Sequence, residues 1–432
     1  MIRRFSISLL VPALIILGVL TVLRWELIWE STLFLVFGVV LLLSDPSRVA
    51  EIALGRLLEF PVAALVWWLS AGAILYSIPR RWFRGTRGKD VQLQAGLATN
   101  VWYILMTGIV FISLTTPFLT PVFPDERGNL ECTRFLSPLA QGVKYVYSAP
   151  AASSNLPEKE GGFGRAARWL STYRVSASGK TCGENAATGT DWRPAGRFIF
   201  LFGTDDGGRD VFSRVVAGTR VSLGIGSAAA LISLVVGSLV GFFAGLGRRG
   251  IDFALMRLTD LALAIPGLFL AIGIMAFLGQ SLAVLIFVLG FTGWMSVARV
   301  VRGEVLTLRE REFTLAARLL NVPGWRIVLR HMLPNLASVL VSAGVLQFAN
   351  AVLAEAALGF LGLGVQPPTA SWGNMMGEAT GTLQSGWWVG LFPGLFLAAT
   401  LIAAHEIAEH SGSLTAREVR EHHDQSSIQG NP

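Results

Sequence analysis

Runs of apolar residues, each about 18–22 long, recur along this chain and limit what it can fold into more than any other feature. A run of that length crosses the hydrocarbon of a bilayer as a helix, because backbone N–H and C=O groups in lipid must be satisfied within the segment. Up to nine such runs occur, at about 6–23, 27–43, 60–78, 97–118, 222–245, 258–278, 281–298, 336–357 and 387–404. Charged residues make up only 15% of the chain and its mean hydropathy is +0.57. A soluble domain carries about a quarter charged residues. The fold class is therefore all-α, a polytopic membrane protein. The net charge of +7 does not point to nucleic acid, because the basic residues follow the apolar spans. That is the pattern of Lys and Arg held on the cytoplasmic side.

The gaps between spans set the topology. Residues 79–96 hold Arg80, Arg81, Arg84, Arg87 and Lys89 against Asp90, and residues 247–250 read Gly-Arg-Arg-Gly. Residues 299–331 hold seven arginines against three glutamates. All three gaps are expected inside, which sends 97–118 out, 222–245 back, 258–278 out, 281–298 back, 336–357 out and 387–404 back. The tail from Glu406 is then cytoplasmic. The N-terminal third leaves two arrangements open. Either Met1 lies outside together with Arg3 and Arg4, or one of the first three runs does not cross. Residues 27–43 are the weakest run, since they include Glu30, and 46–59 form a candidate amphipathic interfacial helix. The basic, apolar start resembles a signal peptide, but Arg24, Trp25 and Glu26 follow where a small-residue cleavage site belongs, so it reads as a retained segment.

The long loop at 119–221 falls outside, and it holds both cysteines, Cys132 and Cys182. An oxidising compartment permits a disulfide there. It would close about 50 residues and restrict the unfolded chain by roughly 3–4 kcal/mol. Two unpaired thiols are the alternative.

Two stretches imitate chemistry. Ser178-Gly-Lys-Thr181 has the end of a phosphate-binding loop, but Arg174 stands where its first glycine belongs. His405-Glu-Ile-Ala-Glu-His410 has histidines five apart, whereas a zinc helix needs them four apart on one face. No cofactor and no metal is expected. A membrane-embedded metal hydrolase built on His405, Glu406, Glu409 and His410 is the enzyme alternative. Arg257 and Asp260 stand three apart at the mouth of a span, as a structural pair would. Glu355, at the far end of span 336–357, fits either a structural partner or a water-filled path.

Residues 309–335 concentrate charge between two spans. Phe313, Ala316, Ala317 and Leu320 recur at i, i+3, i+4, i+7, an apolar stripe on one helical face. Val322-Pro323-Gly324 breaks that helix, Trp325, Val328 and Leu329 give a second apolar set, and Leu333-Pro334-Asn335 opens the next span. This is a cytoplasmic helix–turn–helix that either docks on a partner or rests on lipid headgroups.

That loop resembles the EAA loop of ABC-importer permeases, which has Glu-Ala-Ala, a glycine four residues on and a later Leu-Pro. Five segments in order are similar to the second permease subunit of the dipeptide, oligopeptide and nickel importers. They are Phe202 to Arg214, with Gly203, Thr204, Asp205, Gly208, Arg209 and Asp210; Met256 to Pro266, with Arg257, Asp260 and Pro266; the loop led by Arg309-Glu-Arg311-Glu312-Phe313; Ala354 to Pro368, with Glu355, Gly362, Gly364 and Pro367; and Ser371 to Met375, with Trp372. The resemblance covers about 200–400 and the span at 97–118. It implies a type I importer transmembrane fold, here with extra N-terminal helices and a large extracytoplasmic loop. It implies peptide import, with nickel or another small solute as the alternative, and ATP hydrolysis on separate cytoplasmic ATPase subunits. A second, non-identical permease, an external solute-binding protein and membrane lipid would be the other partners. The coupling loop would use Arg311, Glu312, Phe313, Leu315, Ala316, Ala317, Asn321, Pro323, Gly324, Leu333 and Pro334.

The departures fall where coupling is expected. Leu315 replaces the family's glutamate and Asn321 its glycine, and the family's C-terminal pattern is missing at His405–Gly412. Asn tolerates the left-handed backbone that Gly supplies, and Glu312, on an adjacent face, is a candidate substitute for the lost carboxylate. A diverged, non-transporting subunit is the rival reading. The expected organisation is extra membrane segments with a basic linker (1–96), a first core helix (97–118), an extracytoplasmic loop (119–221), a permease core (222–405) with its coupling loop at 300–335, and a polar tail (406–432).

Overall fold

A computed structural model gives the fold; it describes residues 93–120, 122, 124, 133–147, 175–179, 192–320 and 322–429, with 27–29, 31, 32 and 63. The expected spans at 6–23, 27–43 and 60–78, the amphipathic stretch 46–59, Cys132, Cys182 and Asn321 lie outside the described residues, apart from those few positions. Two compact units divide the chain.

One unit includes 109–220 and 379–392. Helix α1 (Leu93–Leu114) ends where Thr115 and Thr116 turn their hydroxyls back onto Phe111 and Ile112 carbonyls, and Pro117 sits in the first turn of the short α2 (Thr116–Leu119). The loop expected outside carries an antiparallel sheet of order β2-β1-β3: β1 (Ala140–Tyr147), β2 (Val175–Gly179) and β3 (Trp192–Phe200). This sheet adds to the all-α expectation. The β1–β3 register slips between Lys144 and Tyr145, which face Gly196 and Pro194. Pro194 lacks a donor, and an edge strand with a bulge is where a sheet tolerates it.

The other unit includes 221–378. Its elements are most of α3 (Val211–Leu246), then α4 (Arg249–Leu263), α5 (Gly267–Leu278), α6 (Leu282–Glu310), α7 (Glu312–Leu319), α8 (Gly324–Ile327), a π turn (Val328–Met332), α9 (Leu333–Phe360) and α10 (Trp372–Ala379). A short α11 (Leu383–Gly386) in the first unit precedes the long α12 (Trp388–Gln429), which belongs to the second unit from Pro393 on. Among the described residues, four segments are long and apolar enough to cross a membrane: Val211–Leu246, Leu282–Glu310, Gly324–Phe360 and Trp388–Glu409. They contain the expected runs at 222–245, 336–357 and most of 281–298 and 387–404.

The expected straight span at 258–278 is instead two helices bent by 82°. Pro266 supplies no N–H and disfavours helix at Ile265, so α4 stops at Leu263 and α5 restarts at Gly267. The 12 residues of α5 extend only about 18 Å, short of the roughly 30 Å of hydrocarbon.

Buried side chains of α3, α5, α6 and α9 form one core, including Ile225, Met275, Leu285, Val288 and Leu358. A second core, from Val297 to Leu336, joins α6 to α7, α8 and the start of α9. Between α3 and α6 the backbones approach closely. A Cβ on Gly237 would lie 2.6 Å from the Trp294 carbonyl oxygen, one on Gly241 2.8 Å from that of Ala298, and one on Gly245 2.6 Å from Val305 Cγ1. Glycine every fourth residue lines one helical face, the small-residue device by which helices associate in lipid. Ser233 adds a hydrogen bond across the same interface, donating to the Gly290 carbonyl at 2.7 Å.

Candidate functional site

The loop between α6 and α9 is built by local breaks. Arg311 is extended (φ −68°, ψ 145°) and separates α6 from α7. The Thr314 hydroxyl then donates to the Leu308 carbonyl at 2.7 Å and fastens the first turn of α7 to the end of α6. Val322 N–H bonds back to the Ala317 carbonyl at 3.1 Å, the six-to-one bond that closes a Schellman turn. Pro323 caps α8, which Gly324 opens. Pro334, in the first turn of α9, offers no N–H to the carbonyl four residues back. The five-residue π turn ending at Met332 absorbs that mismatch, and Asn335 Nδ2 donates to the His331 carbonyl at 2.6 Å. Thus Leu333-Pro334 marks a shift in the hydrogen-bond ladder rather than a simple helix start.

Of the Phe313-Ala316-Ala317-Leu320 stripe, Phe313, Ala316 and Leu320 are exposed and only Ala317 is buried, beside Thr314. The Thr314–Leu308 bond ties that buried edge of α7 to α6. What remains outward is apolar: Leu319 is 87% exposed, Leu320 79% and Leu315 49%, with Phe313 and Ala316 beside them. Arg311, Glu312 and Arg318 border that surface and are also exposed.

The segment from Gly203 to Arg214 forms a buried knot ahead of the α3 span. Asp205 accepts from Arg209 N at 2.9 Å and Arg209 Nε at 2.8 Å, and pairs with Arg214 Nη1. Arg214 is fully buried. Gly208 is left-handed (φ +67°), and a Cβ there would strike the Thr133 hydroxyl. Thr204 accepts from Leu136 N at 2.7 Å and donates to the Thr133 carbonyl; its own carbonyl accepts from Trp388 Nε1 at 3.0 Å. Asp210 is the N-cap of α3, taking the Ser213 N–H at 2.9 Å and its hydroxyl. Burial pushes the Asp210 carboxyl up to about 6, with the Ser213 hydrogen bonds acting the other way. The GTDxxGRDxxSR pattern thus writes a turn, an ion cluster and a helix cap in one segment.

The third motif builds a corner. A Cβ on Gly373 would lie 2.6 Å from the Ala356 carbonyl oxygen, and one on Gly364 2.5 Å from Gly359 Cα, so α9 and α10 meet almost backbone to backbone. Gly362 is left-handed (φ +77°), and the Pro367–Pro368 peptide is cis. Ser371 and Asn374 cap α10 reciprocally: Ser371 N donates to Asn374 Oδ1 at 2.9 Å, and Asn374 N to Ser371 Oγ at 3.3 Å. Trp372 is fully buried, and its backbone N–H donates to Ser222 Oγ at 3.2 Å. Glu355 is fully buried too, and its carboxylate faces the Ser222 and Ser371 hydroxyls without closing a hydrogen bond to either.

The expected Arg257–Asp260 pair does not form. Asp260 meets Arg299 at 2.6 Å, while the Arg257 guanidinium lies over the Phe253 ring, 5.1 Å from its centroid. The amphipathic α4 turns its acids toward α6, where Asp252 takes Arg302 through two oxygens at 2.5 and 2.6 Å. Arg309 Nη1 donates to the Gly245 carbonyl at 3.3 Å. These ties across 39 to 64 residues carry no short-range signal. The Gly237-Gly241-Gly245 spacing is different: it was readable in the sequence and was missed. His405 Nε2 lies 3.4 Å from Glu409, one helical turn away, and both are exposed.

Comparison with known proteins places the chain. The family described as "Binding-protein-dependent transport system inner membrane component" matches residues 237–409. The di/tripeptide transport system permease protein DppC of Pseudomonas aeruginosa is 37% identical over 237 residues, 55% of this chain and 77% of that one. A putative peptide transport system permease protein of Brucella suis is 42% identical over 209 residues, covering 48% and 70%. The dipeptide transport system permease protein DppC of Bacillus subtilis is 38% identical over 209 residues, covering 48% and 65%. The inward-facing MetNI methionine ABC transporter superposes on 46% of this chain and 95% of that one, with a TM-score of 0.38 and 19% identity. The family match at 237–409 carries the two-helix loop and the glycine corner in one order. This multi-pass membrane chain therefore belongs to the binding-protein-dependent inner membrane components, as an ABC-importer permease of the peptide family.

Proposed function

We propose that this permease moves di- and oligopeptides, delivered by an external binding protein, across the cytoplasmic membrane. It works beside a second, non-identical permease and is driven by separate ATPase subunits. The observation that carries the coupling part is α7. A helix fastened to the α6 end through Thr314 and Ala317 leaves Leu315, Leu319 and Leu320 outward. Large apolar side chains at the tip of a charged loop lose free energy in water and gain it in a partner's cleft. The permease then transmits closure of the ATPase pair into rocking of its spans, and the α6–α7 bond is the mechanical link. The peptide part rests on the named relatives, which match about half of this chain. Glu312, exposed in the first turn of α7, supplies the carboxylate that Leu315 does not.

Leu315 also favours a second reading, a subunit that assembles without transporting. The complex, reconstituted in vesicles with its ATPases, second permease and binding protein, separates the two. ATP-dependent uptake of a labelled dipeptide is expected, with Leu319→Glu and Glu312→Ala each lowering peptide-stimulated ATP hydrolysis. Assembly with no uptake of any peptide would support the second reading. Uptake of nickel in place of peptide would reassign the substrate and leave the coupling proposal standing.

A further inference from the structure

An apolar groove of about 800 Å³ opens between the last turns of α3, the start of α4 and the α8–α9 region. Leu239, Phe243, Trp325, Leu329 and Leu333 are among its walls, and Ser238 is the only polar side chain in the lining. Leu239, Phe243, Trp325 and Leu329 are exposed. Most of its walls belong to two segments long and apolar enough to cross a membrane, which puts the groove within reach of acyl chains.

Residues next to its lining in the chain are basic on both walls. Arg248 and Arg249 lie between the lining residues Gly247 and Ile251, and Arg326 and Arg330 flank Trp325 and Leu329. All four are exposed. Among the described residues none of the four has a carboxylate partner, although Arg299 and Arg302 nearby on α6 are both paired. Arg326 lies instead against Trp325, 5.3 Å from its ring centroid. Tryptophan beside arginine at a span end marks the headgroup level. The arginines also put this groove on the side where anionic lipids concentrate.

We infer that this groove is a binding site for an anionic phospholipid, with the acyl chain along Leu239 and Phe243 and the phosphate between the two arginine pairs. A protein helix would find the same apolar walls but nothing to do with four unpaired guanidinium groups. A zwitterionic lipid would offset its phosphate with its own ammonium.

The purified transporter complex, titrated with phosphatidylglycerol or with phosphatidylcholine of the same chains, tests this by native mass spectrometry. Phosphatidylglycerol is expected to be retained preferentially. Arg248→Gln with Arg249→Gln, or Arg326→Gln with Arg330→Gln, should each weaken it about 30-fold, from about fivefold per arginine, and leave phosphatidylcholine unchanged. Should a double variant fail to assemble, Arg249→Gln and Arg330→Gln alone should each read about fivefold. A photoreactive residue at Leu239 should label phosphatidylglycerol, and glycerol 3-phosphate should not compete. Equal retention of the two lipids, arginine variants that bind normally, competition by glycerol 3-phosphate, or a polypeptide adduct at position 239 would overturn the assignment.

Discussion

Gly241→Val tests whether the α3–α6 contact holds the permease core together. A Cβ at 241 would lie 2.8 Å from the Ala298 carbonyl oxygen, 2.8 Å from Val301 Cβ and 2.9 Å from its Cγ1. Ordinary contact begins at about 3.5 Å, so the helices must separate by roughly 0.7 Å or more at that rung. A gap of that size forfeits a quarter to a half of each dispersion contact at neighbouring rungs, including Gly237 on Val297 and Gly245 on Val305. Overpacking of this kind costs about 1–3 kcal/mol. The substitution also changes helix propensity, and Gly224→Val supplies the control. Gly224 lies on the same helix with nothing within 4 Å of its Cβ position. Subtracting the two leaves the clash alone. Unfolding of the detergent-solubilised protein, followed by heat or denaturant, should show Gly241→Val less stable than Gly224→Val by about 1–3 kcal/mol. The Arg309 hydrogen bond to the Gly245 carbonyl lies further along the same pair of helices and should loosen as they part. Equal midpoints for the two variants would refute the close-contact argument.

Asp205→Ala should destabilise by about 3–5 kcal/mol, since it strips Arg209 and the buried Arg214 of their shared carboxylate; expression level and thermal midpoint report it. Asp210 gives a pH signature with a defined sign. Its carboxyl titrates at about 6 in the folded chain against 3.8 for an unperturbed aspartate, so between those values only the folded state holds the proton. Wild-type stability relative to Asp210→Asn should fall as pH rises from about 4 to about 6 and stay level above; a flat difference would contradict it. Thr314→Val removes the bond to Leu308 while keeping the shape of the buried side chain. It should reduce the coupling of ATP hydrolysis to uptake more than it reduces stability, which the loss of one hydrogen bond limits to about 1–3 kcal/mol.

Much of the fold was legible because its causes are local. Apolar run length marked the spans, and Pro266 carried the break in α4–α5 although it was read only as a motif residue. Val322-Pro323-Gly324 marked the turn after α7, and the Ser371–Asn374 cap was likewise present in the residues, unread. The β sheet was missed because its strands pair across up to about 60 residues of a loop that length and charge alone mark as extracytoplasmic. The missed Gly237-Gly241-Gly245 spacing is a true sequence signal, since a period of four places all three on one face. The Asp260 partner is another matter. Arg257 and Arg299 are equally good guanidinium groups, and proximity in sequence favoured the wrong one.

By itself the sequence determined that this chain crosses a membrane, which of its gaps carry the positive charge, and where its helices break and cap. Those properties depend on transfer free energies and on hydrogen bonds within a few residues, and both can be read along the chain. Only the tertiary structure decided which face of α7 turns outward, which glycine meets which helix, and which arginines stay unpaired. Each of those is settled by a partner outside the local stretch, most of them tens of residues away. A single hydroxyl bond from Thr314 to Leu308, weak in itself, fastens an eight-residue helix to α6 with its leucines outward.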